Sequence, residues 1–168
     1  MDLTAAENLT VADLSPFWSR GVLSPRAERR KVNELLADLD VRPAQSASLP
    51  LRSFSGGNQQ KLVLGRWLRT FPKVLLLDDP TQGVDVGAKA GLHRQILGVR
   101  EHKTAVIISS TDEDELVTLC DRVIIMNRGI NAAQLSGDEV TAANITRSFH
   151  EVDRLAVTDV QLLESKQI

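Results

Sequence analysis

One stretch constrains this chain more than any other: an unbroken run of Val and Leu that ends in two carboxylates and a proline, residues 74–80. Such a run is typical of a strand that is buried on both faces, as in the middle of a parallel sheet. Asp78 and Asp79 stand at the carboxyl end of this strand, where open α/β sheets bind their ligands. Because carboxylate oxygens suit a hard cation, the stretch predicts an α/β fold with a magnesium site at one edge of its sheet.

A glycine-rich segment precedes this strand. Residues 54–61 read Phe-Ser-Gly-Gly-Asn-Gln-Gln-Lys and lead into a run of good helix formers. Two glycines let a backbone approach a ligand closely, and a helix start offers unpaired N–H groups and a positive dipole end. Phosphate is the anion most often bound there. Taken alone, the segment could equally be a loop with a helix cap, and the two aspartates merely a polar strand end.

The remaining pattern alternates strands with helices. Ser24 and Pro25 are a good helix start, and Ser110 with Glu113 has the spacing of a capping box. Helices are predicted over residues 25–40, 59–69, 86–100, 110–119 and 138–149, and strands over 104–109 and 122–126 in addition to the first. In the helix over 59–69 we expect Leu62, Leu64, Trp67 and Leu68 to face inward mostly. This order predicts an α/β fold with a parallel sheet, and residues 151–168 keep no clean helical period, which predicts a frayed tail.

Composition narrows the class of protein. The chain has 168 residues and a net charge of −2, so its charge gives no argument for a nucleic-acid partner or an anionic membrane. Its apolar runs fall short of the roughly 20 residues of a membrane span, and its first residues are acidic rather than basic. A single cysteine excludes an internal disulfide and fits a reducing compartment. We expect a cytoplasmic protein without a nucleic-acid partner.

Three motifs in one order carry a family resemblance. Residues 55–61 resemble the signature motif of ATP-binding cassette (ABC) proteins, in the form typical of importers of ribose, xylose and galactose. Residues 75–81 resemble the Walker B strand of that family, and residues 83–89 resemble its D-loop. The resemblance implies a P-loop NTPase-like parallel sheet flanked by helices, preceded by part of the helical subdomain that carries the signature.

The resemblance also implies a division of the chain. Residues 1–53 would be a partial helical subdomain. Residues 54–150 would hold the signature, Walker B, the D-loop and the C-terminal α/β part of a nucleotide-binding domain, and residues 151–168 would be the tail.

In this family two domains face each other head to tail, and each ATP lies between the P-loop of one and the signature of the other. The resemblance therefore implies contacts with the γ-phosphate from four signature residues, namely Ser55, Gly56, Gly57 and Asn58. Asp85 would lie in the D-loop, across the interface between the two domains.

Three further roles are implied for the magnesium and the water. Asp78 would hold Mg²⁺ through water, and Asp79 takes the place of the glutamate that polarises the attacking water. Aspartate is one methylene shorter, and misplacing a reacting group by about an ångström can cost ~10²-fold in rate. Thr111 takes the place of the family's switch histidine, and it can donate a hydrogen bond but has no titratable nitrogen.

A P-loop needs Gly-Lys-Ser/Thr, and this sequence contains no Gly-Lys dipeptide. No glutamine precedes Gln45, and Gln45 is too near Ser55 to take the role of the glutamine that lies well ahead of the signature in the family. We therefore expect the C-terminal part of a nucleotide-binding domain that is catalytically silent alone. It would need a second nucleotide-binding domain with a P-loop, a membrane permease and, indirectly, a sugar-binding protein, on the inner face of the plasma membrane.

Two other functions stay open. The chain could be a non-catalytic module that lends its signature in trans to a partner cassette. It could instead be an inactive remnant, and it would then dissolve poorly because unpaired strands leave apolar sheet edges exposed.

A calorimetric titration of the purified chain with MgATP tests the expected lack of a P-loop. We expect no saturable binding up to millimolar concentration, because the group that wraps the β- and γ-phosphates is absent from the sequence. Micromolar binding, or MgATP turnover that disappears with Asp79→Ala, would contradict this expectation.

Overall fold

A computed structural model describes residues 3–19, 21–44 and 46–164. The backbone divides into two compact units, Met1–Ser109 and Ser110–Ile168. The predicted division at residues 53/54 and 150/151 follows sequence motifs instead, and it stays a prediction. In the described part of the chain, no helix is both long enough and apolar enough to cross a membrane.

The first unit holds the helices and strands of the three motifs. They are α1 (Ala5–Thr10), β1 (Trp18–Ser19), β2 (Val22–Leu23), α2 (Pro25–Asp38), α3 (Gly56–Leu68), β3 (Val74–Asp78), α4 (Val86–Gly98) and β4 (Ala105–Ser109), with short 3-10 turns at Ser15–Phe17, Leu51–Ser53 and Val99–His102. The second unit holds α5 (Glu113–Leu119), β5 (Arg122–Asn127), β6 (Ile130–Ser136), the 3-10 turn Gly137–Glu139 and α6 (Ala142–Glu164).

Local capping chemistry sets the first two helices. The Oγ of Ser24 accepts from the backbone N–H of Ala27 at 3.4 Å, and Pro25 is the first helical residue, which confirms the predicted start of α2. Thr4 and Glu7 form a capping box at α1, with the Thr4 N–H donating to Glu7 Oε2 at 2.7 Å. This backbone hydrogen bond lowers the pKa of Glu7.

The predicted parallel strands are present. β3 and β4 pair in parallel, with register from Val74 opposite Ala105 to Asp78 opposite Ser109. Only one face of this pair is covered: Leu75 is 6% exposed, whereas Leu76 is 71% exposed and Ile107 60%. The prediction of a strand buried on both faces is therefore wrong for β3, because nothing in the described residues covers its second face.

β5 is a strand as predicted, but its partner differs from the prediction. It pairs antiparallel with β6 rather than joining a parallel sheet, and the chain reverses at Arg128 and Gly129, which have φ of 49° and 81°. Two successive positive φ values are the geometry of the tight hairpin turn that suits twisted strands. A short local connection therefore decides the pairing of β5.

Two boundaries in the second unit also differ from the sequence expectation. The N-cap of α5 is Asp112, whose carboxylate accepts from the Glu115 N–H at 3.1 Å, while the Ser110 hydroxyl donates to the Glu115 carboxylate at 2.6 Å. α6 continues to Glu164, although the sequence pattern predicted no helix there; residues 165–168 lie outside the described residues, and the frayed tail stays a prediction. This segment contains no glycine or proline that would end a helix.

α3 is the centre of the first unit. Its Leu62 is fully buried in a core with residues of α1, α2 and the segment before α3: Ala5, Leu9, Val32, Leu36, Leu39, Val41, Leu51 and Phe54. Leu64 is buried as predicted, but Trp67 is 50% exposed, so the prediction that it faces inward is wrong. The inward side of α3 is instead lined by Gly57, Lys61 and Gly65, which recur every four residues.

Arg66 of α3 and Arg69, the C-cap of α3, bind the carbonyl end of α1. Arg66 Nε donates to the Asn8 carbonyl at 2.7 Å, and Arg69 donates to the carbonyls of Leu9 at 2.6 Å and Thr10 at 2.9 Å. The last carbonyls of a helix have no partner within the helix, and the dipole favours a cation there. Burial lowers the pKa of Arg69, while the nearby charge of Asp13 opposes that shift.

Arg69 also covers an aromatic ring. Its guanidinium carbon lies 5.5 Å from the centre of the Phe17 ring, and Phe17 is 4% exposed. Trp18, the next residue, is 54% exposed. Phe17 thus belongs to the packing of this unit, and Trp18 contributes to its surface.

Replacing Arg69 by Met tests the helix-end contacts. We expect Arg69→Met to lower the free energy of unfolding by about 2 kcal/mol, because the carbonyls of Leu9 and Thr10 lose a charged donor. Urea unfolding followed by tryptophan fluorescence measures it. The control is Arg30→Met on the exposed side of α2, with an expected change within about 0.5 kcal/mol. Equal effects of the two substitutions would contradict the prediction.

Candidate functional site

The signature segment presents a hydroxyl and backbone N–H groups at the start of α3. Ser55 is the N-cap, yet its hydroxyl makes no capping hydrogen bond to the helix. The first backbone hydrogen bond of the turn runs from the Gln59 N–H to the Ser55 carbonyl at 2.9 Å. The N–H groups of residues 56–58 precede that bond and point out of the helix end. Because Ser55 and Gly56 are exposed, a ligand can reach them.

Asn58 is held by the segment that follows α2. Its Nδ2 donates to the Arg42 carbonyl at 3.1 Å and to Ser55 Oγ at 3.1 Å. Its Oδ1 accepts from the Arg42 N–H at 3.4 Å. The side chain thus engages both backbone groups of Arg42, which fixes its orientation and ties Ser55 to the same place.

Gly57 sets the distance between the signature and the D-loop. A Cβ added to Gly57 would lie 2.9 Å from the Cβ of Ala88 and 3.7 Å from Asp85 Oδ2. Asp85 itself is the N-cap of α4, and its Oδ1 accepts from the Ala88 N–H at 3.0 Å. The structure therefore brings Gly57 and Asp85 together, because only a residue without a side chain allows the two helix starts to pack so closely.

The turn after β3 connects the carboxylates to the signature. Asp79 has φ of 42°, its N–H donates to the Ser109 carbonyl at 2.8 Å, and its carbonyl accepts from the Gln82 N–H at 3.1 Å. Gly83 follows with φ of +71°, and its carbonyl oxygen lies 4.0 Å from the position of a Cβ on Gly56. Asp78 is exposed and Asp79 half-buried. The turn over residues 79–83 thus begins at the carboxylates and ends beside Gly56 of the signature.

The carboxylates of Asp78 and Asp79 could bind magnesium only together with ligands from outside the chain. Over residues 3–19, 21–44 and 46–164, no cluster of three or more His, Cys, Asp or Glu side chains could hold a metal ion by itself. Mg²⁺ is commonly bound through one or two carboxylates together with water and the phosphates of a substrate. Asp78 and Asp79 match that donor set once a phosphate is supplied.

The chain is similar in sequence to known proteins of one family. The family profile described as "ABC transporter" matches residues 1–82. The "Ribose import ATP-binding protein RbsA 2" of Rhizobium meliloti is 39% identical over 147 residues, which is 88% of this chain and 28% of that protein. The ribose import ATP-binding protein of Chelativorans is 42% identical over 139 residues, 82% of this chain and 27% of that protein.

The chain belongs to the ATP-binding cassette family. Solved cassettes share its fold: MJ1267, an ATP-binding cassette of an ABC transporter, superposes with a TM-score of 0.70 at 22% identity over 89% of this chain and 62% of that one. The dimeric post-hydrolysis cassette MJ0796 bound to ADP and phosphate gives a TM-score of 0.67 at 24% identity, over 80% of this chain and 56% of that one. This cassette chain spans less than a third of the length of the curated relatives it matches.

Thr111 belongs to the second unit of the cassette chain. It is exposed and lies immediately before Asp112, the N-cap of α5. Its place in the site, like the roles of the other residues named from the resemblance, stays a prediction.

The sequence reasoning gave no role to Lys61, which is 8% exposed and whose Nζ donates to the Asp40 carbonyl at 2.9 Å. The signal was present as a periodicity. Gly57, Lys61 and Gly65 recur at intervals of four, so two glycines flank the lysine on one face of the helix. A Cβ on Gly65 would lie 2.5 Å from Leu39, so this face packs closely against the end of α2.

Gly57→Ala tests the contact between the signature and the D-loop. The new methyl would lie 2.9 Å from the Ala88 Cβ, and we expect the free energy of unfolding to fall by about 1–3 kcal/mol. Gly56→Ala is the control, since its Cβ meets nothing nearer than 4.0 Å and a helix prefers Ala to Gly. Adding Ala88→Gly to Gly57→Ala should restore part of the loss in urea unfolding. Strictly additive losses would contradict the contact.

Proposed function

We propose that this chain is part of the ATP-binding subunit of an ABC importer for a sugar such as ribose. The observation that carries the proposal is the exposed start of α3, where the Ser55 hydroxyl makes no capping hydrogen bond and the N–H groups of the first turn lie close to Asp85. The ribose import relatives, at up to 42% identity, support the sugar class.

The chain contributes the signature half of an ATP site, and a P-loop from a second nucleotide-binding domain contributes the other half. The Ser55 hydroxyl and the N–H groups of Gly56 and Gly57 donate to the γ-phosphate, at the positive end of the helix dipole. Asp85 lies beside Gly57 and so faces the same interface.

Asp78 and Asp79 act at the end of β3. Asp78 would hold Mg²⁺ through water, and the bound ion would supply positive charge that neutralises phosphate charge. Asp79 polarises the attacking water from a side chain one methylene shorter than the family's glutamate, so we expect turnover to be slower by ~10²-fold than with glutamate. Thr111 donates a hydrogen bond where the family has its switch histidine. The chain thus contributes more to nucleotide binding than to hydrolysis.

The transport partners follow from the same proposal. A membrane permease binds the cassette on the inner face of the plasma membrane, and a sugar-binding protein delivers the sugar to that permease. The permease and binding protein, rather than the cassette, select the sugar.

A second candidate function is a module that lends its signature in trans without hydrolysis. The lack of a Gly-Lys dipeptide and the aspartate at position 79 favour it. Both functions require the signature to bind a nucleotide held by another P-loop.

Fluorescence anisotropy tests this shared requirement. The labelled chain is titrated with the ribose import ATP-binding protein of Pseudomonas putida, a relative at 41% identity, with and without MgATP. We expect association that needs MgATP and that weakens at least tenfold in Gly56→Asp. The new carboxylate has room, favours the helix start, and repels the γ-phosphate.

Gly56→Asn is the matched control, because it adds a side chain of the same size without the charge. We expect it to weaken association much less than Gly56→Asp. Association that is independent of MgATP, or equally weak in both variants, would contradict the proposed function.

A further inference from the structure

We propose that Asn58 is a positioning residue of the signature, which orients the Ser55 hydroxyl and anchors the segment to the anchor loop, residues 40–44, without contacting the phosphate. The inference rests on the proposed function and deepens it. It also reassigns Asn58, which the family resemblance places among the residues that contact the γ-phosphate.

The donors of Asn58 are already used. An amide side chain has two N–H donors, and it can form a hydrogen bond to an anion only through them. One N–H of Asn58 donates to the Arg42 carbonyl and the other to Ser55 Oγ, both at 3.1 Å. Contact with a phosphate would therefore break one of these hydrogen bonds.

The hydrogen bond to Ser55 fixes what its hydroxyl can do. Ser55 Oγ accepts from Asn58, and it makes no capping hydrogen bond to α3. A serine hydroxyl has one proton, so that proton stays available for a ligand at the exposed helix start. The hydrogen bond from Asn58 thus orients the Ser55 hydroxyl so that its proton can be donated to a ligand.

The anchor loop is itself held from α3. Lys61 is one helical turn beyond Asn58, and its Nζ donates to the Asp40 carbonyl at 2.9 Å. Asn58 and Lys61 therefore bind the backbone of the anchor loop at Arg42 and Asp40 from the same helix face. Two contact points prevent the loop from rotating about either one, so the position of Asn58 is fixed.

The first experiment tests the hydrogen bond in the chain alone, by ¹⁵N NMR of the Asn58 side-chain amide. In the wild type we expect both of its protons to exchange slowly with solvent. In Ser55→Ala we expect one proton to shift and to exchange at least tenfold faster, because it loses its acceptor. Asn33→Ala on the exposed side of α2 is the control and should change neither. No effect of Ser55→Ala on this amide would overturn the inference.

The second experiment is a double-mutant cycle in the anisotropy assay with MgATP and the Pseudomonas putida cassette. Ser55→Ala and Asn58→Ala should each weaken association about tenfold, the effect of one hydrogen bond to a charged group. Because Asn58 acts through Ser55, Asn58→Ala should weaken the Ser55→Ala variant no further. A residue with a merely structural role would instead weaken both backgrounds equally.

The outcomes separate the two proposals. Additive losses would mean that Asn58 acts on the phosphate or on the fold independently of Ser55, and would overturn the inference alone. A wild-type affinity in Asn58→Ala with a loss in Ser55→Ala would do the same, while the proposed function stands. MgATP-independent association in the wild type would reject the proposed function, and with it the role of Asn58 in nucleotide binding.

Discussion

Cationic side chains of α3 and its C-cap bind the carbonyl end of α1 and the backbone just past α2, and the rest of the first unit depends on these contacts. Arg66 and Arg69 donate to the last carbonyls of α1, and Lys61 donates to the carbonyl of Asp40, just past α2. Helix ends expose carbonyls without partners and the negative end of the dipole, so three cations can fasten them without any exact shape complementarity. The glycine at position 57 then lets the free end of α3 pack against α4. The contacts of Lys61, Arg66 and Arg69, all on the C-terminal side of the signature's phosphate-facing residues, thus fix the position of the signature.

This arrangement divides the signature residues by task. Three polar side chains of the segment are committed to the protein: Asn58 to Arg42, Lys61 to Asp40, and Gln59 to the Phe54 carbonyl at 2.8 Å. Backbone N–H groups and one hydroxyl remain for a ligand. The contacts of Asn58 and Lys61 end on backbone atoms of the anchor loop, so they do not depend on which side chains that loop carries. Although the signature contains large polar side chains, it can therefore bind a phosphate chiefly through the Ser55 hydroxyl and the backbone N–H groups of Gly56 and Gly57.

The sequence predicted those features that local chemistry decides. The start of α2 at Ser24 and Pro25 follows from capping, and the parallel pairing of β3 and β4 from their apolar runs. The exposure of Trp67 and the burial of Lys61 depend instead on what each residue meets in three dimensions. For the site, the order of the motifs predicted that the signature and the D-loop lie at an interface with a second domain. The structure adds that Gly57 and Asp85 are neighbours. The use of both Asn58 donors needed coordinates, because residue type gives the number of donors but not their partners.

The carboxylates and the uncovered sheet face belong to the same two strands. Leu76 and Ile107 are exposed on β3 and β4, and Asp78 lies two residues beyond Leu76. Strands of this composition are normally covered on both faces, and solved cassettes that share this fold are longer than the chain. A segment that covers Leu76 and Ile107 removes apolar surface from water, and it also changes the solvation of the carboxylates at the strand end. Coverage of this apolar face and the solvation of the carboxylates are therefore coupled, because both belong to the same strand.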